Sequence, residues 1–281
     1  MFNIDKNDKN RIVHYRSCIY YGYNLQFQEN YFLEKMIKKI SDAFIEVEGK
    51  TYHYFPDKLS ADEQFDLVED FYKQLYGQDV SKQLNEYFDK MLFIDNADFI
   101  KANAVLHRKY DLSKPSIQYF NIDYMENIIP SYLMVHEIGH AMYYPAKKYV
   151  YNEVIAMTLQ RIFGRIYDHE LNVLHSRQAI ESIFFDSEKY DNIFWKKTRE
   201  KLKKADKLYC YMYLIGYISS LYLSAYYQMD KSKFKNKLIE LRNDKEACEK
   251  LFKYYAINLE SDLTEELVDV EIQKVIKRVS N

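Results

Sequence analysis

At 281 residues, 48% of them hydrophobic, the chain can bury one large core or two small ones. A formal net charge of −2 gives no global field toward nucleic acid or an anionic membrane. Three widely spaced cysteines (Cys18, Cys210, Cys248) exclude a disulfide framework and a C-x-x-C metal site, and the first residues lack a secretion signal's apolar run, so a reducing, cytoplasmic setting is expected.

Only 6 glycines and 4 prolines leave little turn chemistry, which favours long helices. The first periodic stretch is Tyr31 to Phe44, with apolar residues near helical spacing. Glu48-Gly49-Lys50 signals a turn, and Thr51 to Phe55 could be a short strand. Ser60 is a good N-cap, and Glu63 three residues on completes a capping box. The helix it opens runs through Phe65, Leu67, Val68, Phe71 and Leu75 to Gly77. Another helix is expected from about Val80 to Met91, ended by Phe93-Ile94-Asp95, and a helical piece from Ala97 to Lys109. Pro115 excludes a helix, and the β-rich run to Tyr124 reads as a short strand. A strand there can offer backbone groups to an extended peptide; the alternative is a plain structural strand or loop.

The next stretch carries chemistry. On a helix, His136 and His140 lie on one face and can hold one metal ion together. Glu137, directly after the first histidine, is placed to take a proton from a water on that metal, which is the H-E-x-x-H arrangement of zinc hydrolases. Pro130 suits the first turn of this helix and Pro145 stops it. A second helix follows from about Val150 to Ile166. A catalytic zinc takes three protein ligands and keeps one position open. If the two helices form an antiparallel hairpin, Glu153 sits at the depth of His140 and can be the third ligand. It can also be read as a first-turn carboxylate favoured by the helix dipole, and Asp168 and Glu170 remain alternatives. His14, His53 and His107 are isolated and read as structural or exposed. His169 and His175 could approach the cleft as hydrogen-bond donors.

Two helical segments are expected to reach Lys207. Leu208 to Met229 then has no charged residue and is long enough to span a bilayer. Tyrosines run through its middle rather than gathering at its ends, so it reads as a buried helix passing the metal cleft. Tyr209 and Tyr213 share a face and could donate to an oxyanion, and Gly216 would let a neighbour come close. Most of the tyrosines there read as core. Two charged amphipathic helices close the chain, about Lys231 to Arg242 and Leu263 to Arg278.

Together these segments resemble the oligoendopeptidase F and thimet oligopeptidase family of zinc metallopeptidases. His136-Glu137-Ile138-Gly139-His140-Ala141-Met142 is similar to that family's H-E-x-G-H form, and Glu153-Val154 looks like the start of the motif that supplies its glutamate ligand. Tyr209-Cys210-Tyr211-Met212-Tyr213-Leu214-Ile215-Gly216 is similar to its Y-x-Y-x-Y-x-x-G segment, which bears the tyrosines that stabilise the transition state. Leu67 to Asp95 is similar to the helix pair before its edge strand. The likeness covers roughly residues 60 to 230. It departs from the family in three places. The family is longer, with an N-terminal part that closes over the cleft; its interval between the ligands matching His140 and Glu153 is longer; and its histidine before the tyrosine motif is missing here, from Lys201 to Asp206.

The resemblance implies a mainly α metallopeptidase domain with a small β-sheet or edge strand beside the H-E-x-x-H helix. It implies one catalytic domain over 1–281, with 59–281 as the core and 1–58 as an N-terminal segment without an assigned place. Zn²⁺ would be held by His136, His140 and Glu153, with Glu137 as general base and Tyr209 or Tyr213 at the oxyanion. The partner would be a peptide, with neither nucleic acid nor membrane involved. The competing readings are a catalytically impaired zinc- and peptide-binding module, and a membrane-embedded protease using Leu208 to Met229.

Overall fold

The structure, a computed structural model, describes residues 30–47, 57–89, 91–94, 104–109, 116–123, 128–143, 146–173, 176 and 199–279. Asn30 begins it. Its Oδ1 accepts from the backbone N–H groups of Phe32 and Leu33 at 2.9 and 3.2 Å and so caps α1 (Tyr31–Val47). Ser60 and Glu63 form the expected capping box at the start of α2 (Ala61–Tyr76), with both reciprocal hydrogen bonds present. Gly77 ends α2 at φ +84°, a left-handed conformation that glycine adopts without a Cβ clash. A 3₁₀ turn (Gln78–Val80) leads into α3 (Ser81–Phe88).

Three strands follow: β1 (Met91–Ile94), β2 (Ala104–Lys109) and β3 (Ser116–Asp123), in spatial order β1-β3-β2. β1 runs parallel to β3, with Met91 opposite Phe120, and β2 runs antiparallel to β3, with Ala104 opposite Ile122. The register slips between His107 and Arg108. Two expectations are corrected here. Residues 104–109 are a strand, not part of a helix, because pairing with β3 overrides a weak local helix preference. β3 forms as expected but is the central strand, so its 120–122 backbone is paired on both sides and is not open to a peptide. Among the described strands, the edges of the sheet are β1 and β2. The turn at Glu48 to Lys50, the strand at Thr51 to Phe55, and His14, His53 and His175 lie outside the described residues.

Beyond the sheet, the elements of the described residues are helical: α4 (Ile129–Met142), a 3₁₀ turn (Tyr149–Tyr151), α5 (Asn152–Tyr167), α6 (Arg199–Met229), α7 (Lys231–Leu241), α8 (Ala247–Tyr254) and α9 (Asp262–Val279). The chain is thus mainly α, with its small sheet packed against α4 through β2 and β3. α6 is one continuous helix whose charged first turns precede the uncharged tyrosine stretch. α8 was not expected; its eight residues bury Ala247, Cys248 and Leu251. Among the described residues no helix is long and apolar enough to cross a membrane.

α4 is apolar on every side, and it is correspondingly enclosed, from Pro130 through Met142, with only His136 and His140 left half-buried. Tyrosine hydroxyls reach its backbone from neighbouring helices. Tyr72 donates to the Val135 carbonyl at 2.7 Å and Tyr87 to the Ala141 carbonyl at 3.4 Å. Tyr143, just past its end, donates to the Leu238 carbonyl of α7 at 3.1 Å while its hydroxyl meets that of Tyr76 at 2.8 Å. Burial raises the Tyr72 and Tyr143 pKa values, so both stay neutral donors.

On α5, Arg161 is almost wholly buried. Its guanidinium donates to Ser220 of α6 at 3.1 Å, to Ser176 at 3.2 Å and to Glu271 of α9 at 3.3 Å, and it lies over the Tyr217 ring at 5.5 Å. Burial disfavours the Glu271 charge, but Arg161 and Lys274 outweigh it and lower its pKa. This network ties α5 to α6 and α9. Glu271→Ala would leave a buried guanidinium facing only neutral hydroxyls, a loss of about 3–5 kcal/mol. Denaturant unfolding measures it, and a loss below about 1 kcal/mol would show the tie to be unimportant.

Candidate metal centre

Two glycines set how closely the helices of this centre approach. A Cβ on Gly139 of α4 would lie 3.1 Å from Ala156 Cα and 3.3 Å from Leu159 Cδ1 of α5. A Cβ on Gly216 of α6 would lie 2.6 Å from Met157 Sδ and 2.7 Å from Glu153 Cβ. α5 is therefore pressed between α4 and α6, and Glu153 sits where both crowd it. Asn152 supports the turn before α5 by accepting the Ala146 N–H at 2.8 Å. Gly216 brings a neighbour close, as its place in the sequence suggested, and that neighbour is the backbone and Cβ of Glu153.

The result is the convergence that the hairpin argument anticipated. His136 Nε2 lies 3.1 Å and His140 Nε2 3.3 Å from the same oxygen, Glu153 Oε2, and the two Nε2 atoms are 3.0 Å apart. Four bonds of about 2.0–2.1 Å around a tetrahedral ion space its ligands about 3.3 Å apart, so the three atoms match one face of that tetrahedron. Glu153 Oε2 is buried within ion-pair distance of both rings, yet makes no hydrogen bond of good geometry. An orphaned carboxylate oxygen facing two imidazole nitrogens makes a donor set that could hold a metal ion. The rings keep 14% and 19% of their side-chain surface and the carboxylate 7%, so the centre opens on its histidine side.

Electrostatics agree. Burial pushes the Glu153 carboxyl up, but His140 and His136 outweigh it and hold the pKa well below the usual carboxylate range. Burial likewise opposes charge on His136, and Glu153, Glu137 and Gln160 together outweigh it and raise its pKa. Glu137 is buried beside this group at 7% exposure. His136 Nδ1, the nitrogen turned away from the cluster, lies 3.2 Å from Oε1 of Gln160. Sequence reasoning missed Gln160, although a residue seven after Glu153 falls on the same helix face and could have been found by that spacing.

The other candidates separate. Tyr213 is half-buried against the core, three residues before Gly216 on α6. Residue 209 belongs to α6 two turns before Gly216, and its side chain lies outside the described set. Asp168 and Glu170 lie at the far end of α5, where Glu170 pairs with Arg278 at 2.6 Å rather than joining the cluster. His169 is not part of the cluster either.

No protein-family model matches the chain, and no curated protein does. Among solved structures it is similar to a crystal structure from Chlamydophila abortus described as a candidate peptidase, at 13% identity and a TM-score of 0.47, covering 95% of this chain and 57% of that one. This chain thus spans little more than half the length of that protein, and a likeness at this level says nothing about chemistry.

Two outcomes follow from the geometry. Gly216→Ala forces a methyl into Glu153 and should cost about 1–3 kcal/mol of stability together with a measurable loss of metal affinity, read by unfolding and by chelator competition. Metal binding needs both imidazoles deprotonated. Protons compete with the metal for both imidazoles, and the raised pKa of His136 strengthens that competition, so apparent metal affinity should fall as pH is lowered. Chelator competition across a pH series tests this, and an affinity that does not change with pH would contradict it.

Proposed function

We propose that this chain is a zinc-dependent metallopeptidase that hydrolyses peptide bonds in peptides or unfolded segments. The observation that supports it is the meeting of His136, His140 and the orphaned Glu153 oxygen on one buried site with Glu137 next in sequence to the first histidine. A bound zinc ion supplies Lewis acidity there, polarising a carbonyl and making a water a better nucleophile at neutral pH. His136, His140 and Glu153 hold it, with the three donors already within 3.3 Å of one another. Glu137 takes the proton from the attacking water and passes it to the leaving amine.

Two further parts complete the reading. α6 lies against Glu153 at Gly216, and residues 209 and 213 precede that contact by seven and three positions, so one or both phenols assist at the oxyanion. The edge of β2, on the sheet that packs against α4, pairs with an extended peptide. The resemblance to oligoendopeptidase F and thimet oligopeptidase gives the same roles to His136, Glu137, His140, Glu153 and the tyrosines. A second reading, a non-catalytic zinc- and peptide-binding module, is favoured by the lack of a histidine from Lys201 to Asp206.

Metal analysis and peptide-library digestion of wild type and Glu137→Gln separate the readings. The expected result is one zinc per chain in both proteins, cleavage by the wild type, and turnover at least about 10²-fold lower in the variant. Unchanged turnover in Glu137→Gln would overturn the mechanism. Zinc binding without any cleavage by the wild type would favour the binding module.

A further inference from the structure

His136 is held at both ring nitrogens, and both holds come from α5. At Nε2 it meets Glu153 Oε2 at 3.1 Å, and at Nδ1 it meets Gln160 Oε1 at 3.2 Å. Glu153 and Gln160 are seven residues apart, which returns a helix to within about 20° of the same face and advances it about 10 Å. The imidazole therefore lies along α5 with one contact near each end. Gln160 is itself 5% exposed, so its amide is out of bulk water.

The chemistry of the pair is constrained. If Nε2 gives its lone pair to a cation, the ring's hydrogen must be on Nδ1. The group opposite Nδ1 must then accept, which fixes the amide with its oxygen toward the ring, as the structure has it. A ligating histidine commonly gives this hydrogen to a carboxylate, which orients the ring and makes it a stronger donor. A glutamine provides the orientation without the charge. Two neutral imidazoles and one carboxylate around a divalent cation leave a net charge of about +1, and a carboxylate at position 160 would cancel it.

We propose that Gln160 is a positioning residue of the metal centre: it locks His136 in the Nδ1–H tautomer and ring orientation that metal binding needs, and its neutrality keeps the centre more positive than a carboxylate partner would. The inference rests on His136, His140 and Glu153 being metal ligands. It does not require that peptides be cleaved. Its consequence is a division of labour along one helix, with a charged ligand in the first turn of α5 and a neutral brace two turns on.

The test is zinc affinity, measured by competition with a chromophoric chelator at fixed pH. Gln160→Met keeps the length and removes the acceptor, and should weaken zinc binding about 10–100-fold. Gln160→Glu keeps an acceptor oxygen and adds charge, and should bind zinc at least as tightly as wild type. Far-UV circular dichroism and thermal melting of the metal-free proteins check that each variant folds. Equal affinity in Gln160→Met and wild type would overturn the proposal, as would a tenfold loss in a folded Gln160→Glu. The wild type offers a test that no folding defect can blur. Long-range ¹H–¹⁵N spectra of the zinc-loaded protein should show His136 carrying its hydrogen on Nδ1, and a hydrogen on Nε2 would overturn the proposal. A wild type that binds zinc with this dependence but cleaves nothing supports the inference while sinking the peptidase reading. A wild type that binds no zinc overturns both.

Discussion

Two helices must come close enough for a carboxylate and two imidazoles to share one point, while a third packs against the carboxylate. That requirement organises the molecule. Side chains at a helix contact ordinarily hold axes 8–10 Å apart. Here Gly139 against Ala156 and Gly216 against Glu153 remove the Cβ atoms that would stand in the way. The donors are then short enough to meet, at 3.0–3.3 Å. A buried carboxylate oxygen without a hydrogen bond costs several kcal/mol in isolation. The two imidazoles that face it lie within 3.3 Å, and a cation held between the three groups would offset that cost.

The tyrosines fit the same logic in a different role. Twenty-nine of them could line a wet cleft, but several work as hydrogen-bond donors inside the core. Tyr72 and Tyr87 brace the carbonyls of the metal helix, Tyr222 meets Thr264 at 2.9 Å, and Tyr226 donates to the Tyr255 carbonyl at 2.9 Å. Tyr211, in the middle of the motif that resembles a transition-state segment, donates to Glu34 of α1. A phenol fills space like a phenylalanine and still satisfies a buried acceptor, so helices can cross without leaving carbonyls unpaired.

Much of the centre was legible because its signals are local. His136 and His140 are set by a four-residue helical spacing, and Glu153 by the short interval between two helices. The capping box at Ser60 and Glu63 was equally readable. What was missed depends on partners far away in sequence. The 104–109 strand exists only through β3, and β3's central place depends on β1. α8 is eight residues long, too short to show a persuasive period. Arg161 sits in no motif, and only its burial against Ser220 and Glu271 reveals its function as a tie. Gln160 was readable in principle by its spacing from Glu153, but an amide has no motif to announce it.

The buried tie has a consequence in time as well as in space. The metal donors lie within one short hairpin, but α5 is anchored by Arg161 to Glu271, which follows it by 110 residues. During synthesis the hairpin emerges long before its anchor does. The nascent chain can gather its three donors early, while the rigid enclosure waits for the C-terminal helix. In the order of synthesis, the residues of the local chemistry thus precede the partner that closes the structure over them.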